Sequence, residues 1–149
     1  PGKILYMKDD FDPTLVDRNP MKPSQTTVDY RVNEALTNVY IGVLRHLRGE
    51  IQSAFSFIQV YAMHHVYHLL KAITHEVPQE IDPYVAERRI EKRFPNQKDL
   101  LMQMTQGSKR NLESAEVILD FLTSHFETNL ELVRHIKLSI EKKGYHEKE

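Results

Sequence analysis

His64 and His68 stand one helical turn apart in a helix-forming stretch, so both imidazoles reach one face and could share one ion. His65 lies beside them and His75 two turns on. No third ligand stands at suitable spacing and no His-Glu-x-x-His occurs. The pair therefore reads as polar-face residues beside a core-edge His65, or as a contact to a phosphate or a substrate hydroxyl in a cleft. Asp10 and Asp12 have the Asp-x-Asp spacing with which carboxylates on a strand share Mg²⁺. Pro13 follows at once and no phosphate-cradling loop precedes them, so they read as a solvated turn. Gly107-Ser108 sits where a helix needs its cap. With no cysteine there is no disulfide framework, zinc ribbon, iron–sulfur site or thiol nucleophile. No Gly-x-Gly-x-x-Gly, Walker loop or Gly-x-Ser-x-Gly is present. The residues alone write no complete catalytic constellation.

The elements that would position these groups are helices. The 149 residues suit one domain, and 40% apolar content excludes wholesale disorder. Lysine and arginine number 20 against 21 carboxylates, a net charge of −1 that argues against a dedicated nucleic-acid binder. The longest apolar runs are a few residues, too short to span a membrane. Pro1-Gly2-Lys3 opens no secretory h-region, which makes a cytoplasmic setting the default.

Glycine is rare, and prolines mark the boundaries. Residues 1–25 are not helical in pattern. Ile4-Leu5-Tyr6-Met7 reads as a short strand whose sheet lies elsewhere, and Asn19-Pro20-Met21-Lys22-Pro23 as a linker. Because the chain opens with Pro rather than Met, it reads as a piece of something longer.

Residues 26–149 predict an all-α, up-down bundle of four to five helices behind this extended N-terminal strand and linker. The first helix spans about 28–48, with Thr26 and Asp29 as a capping pair and Gly49 as its left-handed end. The second spans about 50–74. Its main stripe is Ile51, Ala54, Phe55, Ile58, Tyr61, Ala62, His65, Leu69, Ala72 and Ile73, widened by Phe57, Val60 and Val66, so it should be central. The tight Arg48-Gly49-Glu50 joint makes the two antiparallel.

A charged third helix opens at Asp82 and Pro83 and ends at Phe94-Pro95. Asn96 with Asp99 opens a short fourth that ends near Gly107. The fifth carries Leu112, Ala115, Leu119, Leu122, Phe126, Asn129, Val133, Ile136 and Ile140 at alternating steps of three and four, with Gly144 as its end. Asn129 is the one polar residue of that seam, half exposed or paired to fix register or oligomeric state.

Two stretches taken together carry a resemblance. Gly2-Lys3-Ile4-Leu5-Tyr6-Met7-Lys8-Asp9, then a linker, then a helix ending in Arg48-Gly49-Glu50 that leads straight into a second long helix, is similar to the C-terminal part of small antibiotic-type (lincosamide and aminoglycoside) nucleotidyltransferases. The resemblance covers most of the chain in helix order and length. It implies that 1–25 is the last strand and linker of a polymerase-β-like catalytic core, and that 26–149 is the helical domain walling the acceptor cleft. The segment that carries Gly-Ser and an Asp-x-Asp strand for nucleotide and Mg²⁺ in such enzymes is not seen here; Asp10 and Asp12 fall after its expected position, so the metal role is not transferred to them.

The implied function is acceptor binding in transfer of an AMP group to a hydroxyl of a small molecule. The chain itself would hold no cofactor, while Mg²⁺ and ATP would serve the full-length enzyme. The implied partners are the small-molecule acceptor, the nucleotide through the missing core, and a second copy in a homodimer; nucleic acid and membrane are not expected.

In-line transfer needs a positioned hydroxyl, sometimes with a carboxylate base. The substrate-binding candidates are Arg48 and Glu50 at the helix joint and Tyr61, His64 and His68 on the second helix. Their plainer readings are a helix corner with a dipole-favoured Glu50, and a core tyrosine. The alternative function is a stand-alone helical interaction module, dimerising or antitoxin-like, supported by the heptads of the fifth helix. No arginine is followed five to seven positions on by histidine, which discounts a ribonuclease. A metal-storing bundle would need Glu-x-x-His pairs from two helices, and only isolated histidines are seen.

Overall fold

A computed structural model describes residues 26–82 and 84–146, with side chains described as far as residue 141. The expected strand at Ile4–Met7, the linker, the Asp10 and Asp12 pair and Pro83 lie outside the described residues. Every regular element among the described residues is helical.

Helix α1 (Val28–Leu47) starts where Thr27, not Thr26, accepts from the Tyr30 amide at 3.1 Å. Thr26 instead accepts from Arg31 Nη2 at 2.9 Å. The helix ends at Gly49, φ +81°, a conformation that glycine adopts without strain. The chain reverses there into α2 (Ile51–Phe55), a π-helical stretch at Ser56–Ala62, α3 (Met63–Leu69) and a last 3₁₀ turn at Leu70–Ala72. Residue pairs Arg45–Phe57, Gly42–Ile58 and Tyr30–His65 meet across the two rods, so their numbering runs in opposite directions and they are antiparallel.

The π stretch corrects the predicted stripe. A π turn adds a residue to the helical period and rotates everything after it. Buried positions become Ile58, Gln59, Ala62, Met63, Val66, Leu69 and Leu70. Tyr61 leaves the stripe and is 49% exposed, and Val60 is turned out with it. His65 is half-buried and Ala72 is exposed.

The hub of the bundle is α1 rather than the second rod. It packs against α2, the π stretch and α3, and also against α6 (Asn111–His125) and α7 (Leu130–His146). Its buried face is Val32, Ala35, Leu36, Val39, Gly42 and Val43. Gly42 lets the π stretch approach closely. A Cβ there would clash with Ile58 Cγ1 and lie 3.0 Å from Ile58 Cδ1 and 3.2 Å from Phe57 Cβ. Gly42→Ala gains about 1 kcal/mol of helix propensity but forces about 1–3 kcal/mol of overpacking. The expected outcome is a net loss of about 1 kcal/mol in urea unfolding, relieved when Ile58→Ala is added.

The predicted third helix shrinks to one turn, α4 (Ile90–Arg93). Asp82 Oδ1 does accept from the amides of Tyr84 and Val85. Arg89 then enters the left-handed region at φ +58° and breaks the rod. Arg93 anchors the segment: Nε donates to Glu76 Oε1 at 2.8 Å, Nη1 donates to the Ala86 carbonyl at 2.6 Å, and the guanidinium is almost wholly buried. A 3₁₀ turn at Pro95–Gln97 leads into α5 (Lys98–Met104), which starts after Gln97 rather than Asn96. Gly107 is followed by a further 3₁₀ turn at Ser108–Arg110, so Ser108 caps no α-helix.

The predicted fifth helix is two. Phe126 is extended (φ −137°, ψ 155°) and closes α6, and Asn129 caps α7 by accepting from the Leu132 amide at 3.0 Å. Asn129 is exposed, not a seam residue. Helix α7 runs through Gly144 to His146, so the glycine does not end it.

Candidate functional site

The π stretch, α3 and the segment before α4 line an open cleft of about 350 Å³, the small end of the ligand-pocket range. Gln59, Val60, Tyr61, His64, Tyr67 and Glu87 line it. Tyr61 is held at the rim by Phe57, whose ring meets it edge-to-face with centroids 5.2 Å apart. Burial, with Glu87 and Glu91 nearby, pushes the Tyr67 phenol above its ordinary range, so it stays a hydrogen-bond donor at neutral pH.

Gln59 is fixed by three bonds. Its Oε1 accepts from the Gly107 amide at 2.8 Å, and its Nε2 donates to the Gly107 carbonyl and to Asn111 Oδ1, each at 2.9 Å. Asn111 in turn donates to the Ile51 carbonyl at 3.0 Å. The floor of the cleft is thus tied to the turn between α5 and α6, and satisfied networks of this kind rigidify their surroundings.

Of the five residues singled out in the sequence, the structure brings Tyr61 and His64 into this cleft. His68 is beside it, its ring 5.0 Å from that of His64. His65 continues the row, 5.6 Å from His64 and 6.2 Å from Tyr30. Arg48 and Glu50 are elsewhere, about 15–20 Å back along the rod at 1.5 Å per residue. They form a corner clasp in which Glu50 accepts from Arg48 Nε at 2.7 Å and from Arg45 Nη1 at 2.9 Å. The Arg48 bond is the main cause that holds the Glu50 carboxyl below its usual range. Arg45 also lies over the Phe57 ring at 5.0 Å. Arg48 and Glu50 therefore hold the helix joint and do not line the cleft.

Sequence reasoning missed Gln59, Tyr67 and Glu87. The available signal for Gln59 was a lone amide inside the run Phe57-Ile58-Gln59-Val60. Glu87 was hidden in a charged stretch that reads as a solvated face. Among the described residues no group of three His, Cys, Asp or Glu is placed to hold a metal ion. The histidine row presents neighbouring rings rather than a convergent donor set, and the cleft itself offers phenols, one imidazole, an amide and one carboxylate. These donors do not fit Mg²⁺, which favours several oxygens in octahedral array.

His68 carries a pH dependence. Burial, then the positive surroundings of Arg31, His64, Lys71 and Arg93, lower its pKa to about 4, and burial lowers that of His65 as well. Both are neutral in the fold at pH 7. Below about 6.5 the unfolded chain takes up protons that the fold refuses, so stability is full above that pH and falls toward pH 4. Partial exposure limits the His68 contribution to about 1 kcal/mol. Urea midpoints should drop between pH 7 and 4.5, and His68→Gln should flatten that drop. An unchanged slope in the variant removes His68 from the account.

A second hollow of about 210 Å³ lies between α6 and α7, lined by Glu116, Leu119, Asp120, Lys137, Ile140 and Glu141. Lys137 approaches Asp120 at 3.5 Å there, and burial, with Asp120 and Glu113 nearby, pushes the Glu116 carboxyl up.

No protein-family profile, curated protein or solved structure matches the chain.

Proposed function

We propose that residues 26–149 are the acceptor-binding helical domain of a nucleotidyltransferase, which receives a small hydroxyl-bearing molecule in the Tyr61–His64 cleft. The observation that carries the reading is the convergence of Tyr61 and His64, chosen for acceptor contact, on one ligand-sized cleft. Its chemistry suits a hydroxylated ring: tyrosine faces to pack against, a glutamine amide and a phenol to orient polar groups, and an imidazole and a carboxylate within the same lining. The Gln59 network makes the floor rigid, as positioning requires.

In this reading Mg²⁺ and ATP belong to a nucleotide core joined to this domain, and a homodimer completes the enzyme in the cytoplasm. The domain's own work is to bind and orient the acceptor. The stand-alone interaction module loses its main motive, because the four-heptad seam is divided at Phe126.

The test is a panel of small hydroxylated ring compounds titrated into the protein with NMR observation of Tyr61 and His64. The proposal expects saturable shifts at those residues, with the His64 shift lost in Tyr61→Ala, and no nucleotidyl transfer when MgATP is added to this chain alone. Turnover by the chain alone, or a panel that leaves both residues unshifted, overturns it.

A further inference from the structure

We propose that Arg31 of α1, the histidine row of α3 and Lys71 form a binding site for a doubly charged oxyanion, a phosphate or sulfate group. The site lies on the side where α1 meets α3 and adjoins the cleft only at His64. It stands whether or not the cleft takes a small molecule.

The pairing of the arginines singles out this place. Among the described residues every other arginine forms an ion pair with a carboxylate. Arg31 forms none. Its side chain makes one hydrogen bond there, from Nη2 to Thr26 Oγ1 at 2.9 Å, which leaves most of the guanidinium fork unused. The residue is half-buried, and burial lowers its pKa from the ordinary value. A cation drawn out of water without a counter-charge is costly until an anion joins it.

Imidazoles face this guanidinium. The antiparallel rods set Tyr30 against His65, and His65, His64 and His68 stand ring by ring at 5.6 Å and 5.0 Å. His65 Nδ1 is buried with no bonding partner among the described residues. Every charge that acts on His68 is positive: Arg31, His64, Lys71 and Arg93. Glu76 cancels Arg93, whereas Lys71, like Arg31, forms no ion pair among the described residues. Two carboxylates stand at the margins. Glu34 of α1 acts on His65, but less than burial, His64 and Arg31 do, and Glu87 lines the cleft with His64. Two unpaired cations suit a dianion better than a lone carboxylate. The planar fork of Arg31 can hold two oxygens at once, and a neutral imidazole that takes up a proton becomes a further charged donor.

Sulfate, inorganic phosphate and acetate are titrated into the whole chain at low ionic strength, read by NMR at the His64 and His68 imidazoles. The two dianions should give saturable shifts and acetate should bind weakest. Sulfate stays doubly charged between pH 7 and 5, so its pH dependence reports protons taken up by the protein. A bound dianion should move the His68 pKa up from about 4, and sulfate should bind about two- to tenfold tighter at pH 5 than at pH 7. Arg31→Gln should weaken sulfate about tenfold, and Arg31→Lys, which keeps the charge and loses the fork, should recover part of that. Lys71 is exposed, so Lys71→Gln folds, and it should cost about twofold. Lys98→Gln on α5 should change nothing. Phenyl phosphate beside inorganic phosphate tells the source: tighter binding of the ester assigns the site to a phosphorylated organic molecule, looser binding to the free ion. The absence of a saturable His68 shift with either dianion overturns the site. So does sulfate binding that neither Arg31→Gln nor Lys71→Gln weakens. Acetate binding as tight as that of sulfate overturns the dianion assignment. Ring compounds that fail at Tyr61 and His64 overturn the cleft and leave this site untouched.

Discussion

Gln59→Leu lowers the stability of the fold by about 2–4 kcal/mol, a large loss for a change of nearly equal volume. Leucine keeps the packing and removes every polar bond. The Gly107 amide then loses its acceptor and Asn111 Oδ1 its donor, while the Gly107 carbonyl is left with the Arg110 amide. Asn111 is completely buried, so water cannot replace what it loses. Asn111→Leu alone costs about 2–3 kcal/mol, because Gln59 keeps both bonds to Gly107. The double variant removes the orphaned partners of each, so its cost should fall short of the sum by about 1 kcal/mol or more. Urea unfolding of the four proteins closes this cycle. Strict additivity would show that the two amides act independently of each other.

This network also shows where the sequence stops being legible. The antiparallel pairing of the first two rods was readable because glycine at 49 permits a left-handed stop that other residues resist. The interior of α1 was readable because Val32, Ala35, Leu36, Val39 and Val43 keep one unbroken period. The π stretch was not readable, since it changes that period without a proline or glycine to announce it. The stripe beyond Ile58 is therefore only partly legible: Ala62, Val66 and Leu69 are buried as the pattern has it, but Tyr61, on the stripe, is exposed, and Met63, which the pattern leaves out, is wholly buried. The cleft depends on that rotation together with a segment 26 residues further on (Glu87 against Tyr61), and tertiary approach of that kind leaves no local pattern. Charge runs mislead for a related reason. Glu87, Arg88 and Arg89 look alike in sequence, and only the fold decides which of them is neutralised.

Leu122→Asp should abolish cooperative folding at 25 °C. Leu122 is wholly buried in the cluster formed with α1. Truncating such a leucine costs about 2–5 kcal/mol, and burying a carboxylate in its place adds several more. The sum rivals the 5–15 kcal/mol that holds a domain of this size together. Far-UV circular dichroism should show helix loss, and a thermal scan no native transition; an unchanged melting temperature would mean α6 packs by another face. Phe126→Asp should cost less, since that ring is only partly buried, its centroid 6.0 Å from that of Phe121. The variant that separates two helices from one is Asn129→Leu. In a continuous seam, leucine at that position would bury an apolar side chain and stabilise by about 2 kcal/mol. As the cap of α7, whose side chain accepts from Leu132, Asn129 is worth about 1 kcal/mol, and its loss must destabilise. The sign of that one change decides whether the chain turns at Phe126 or runs through it.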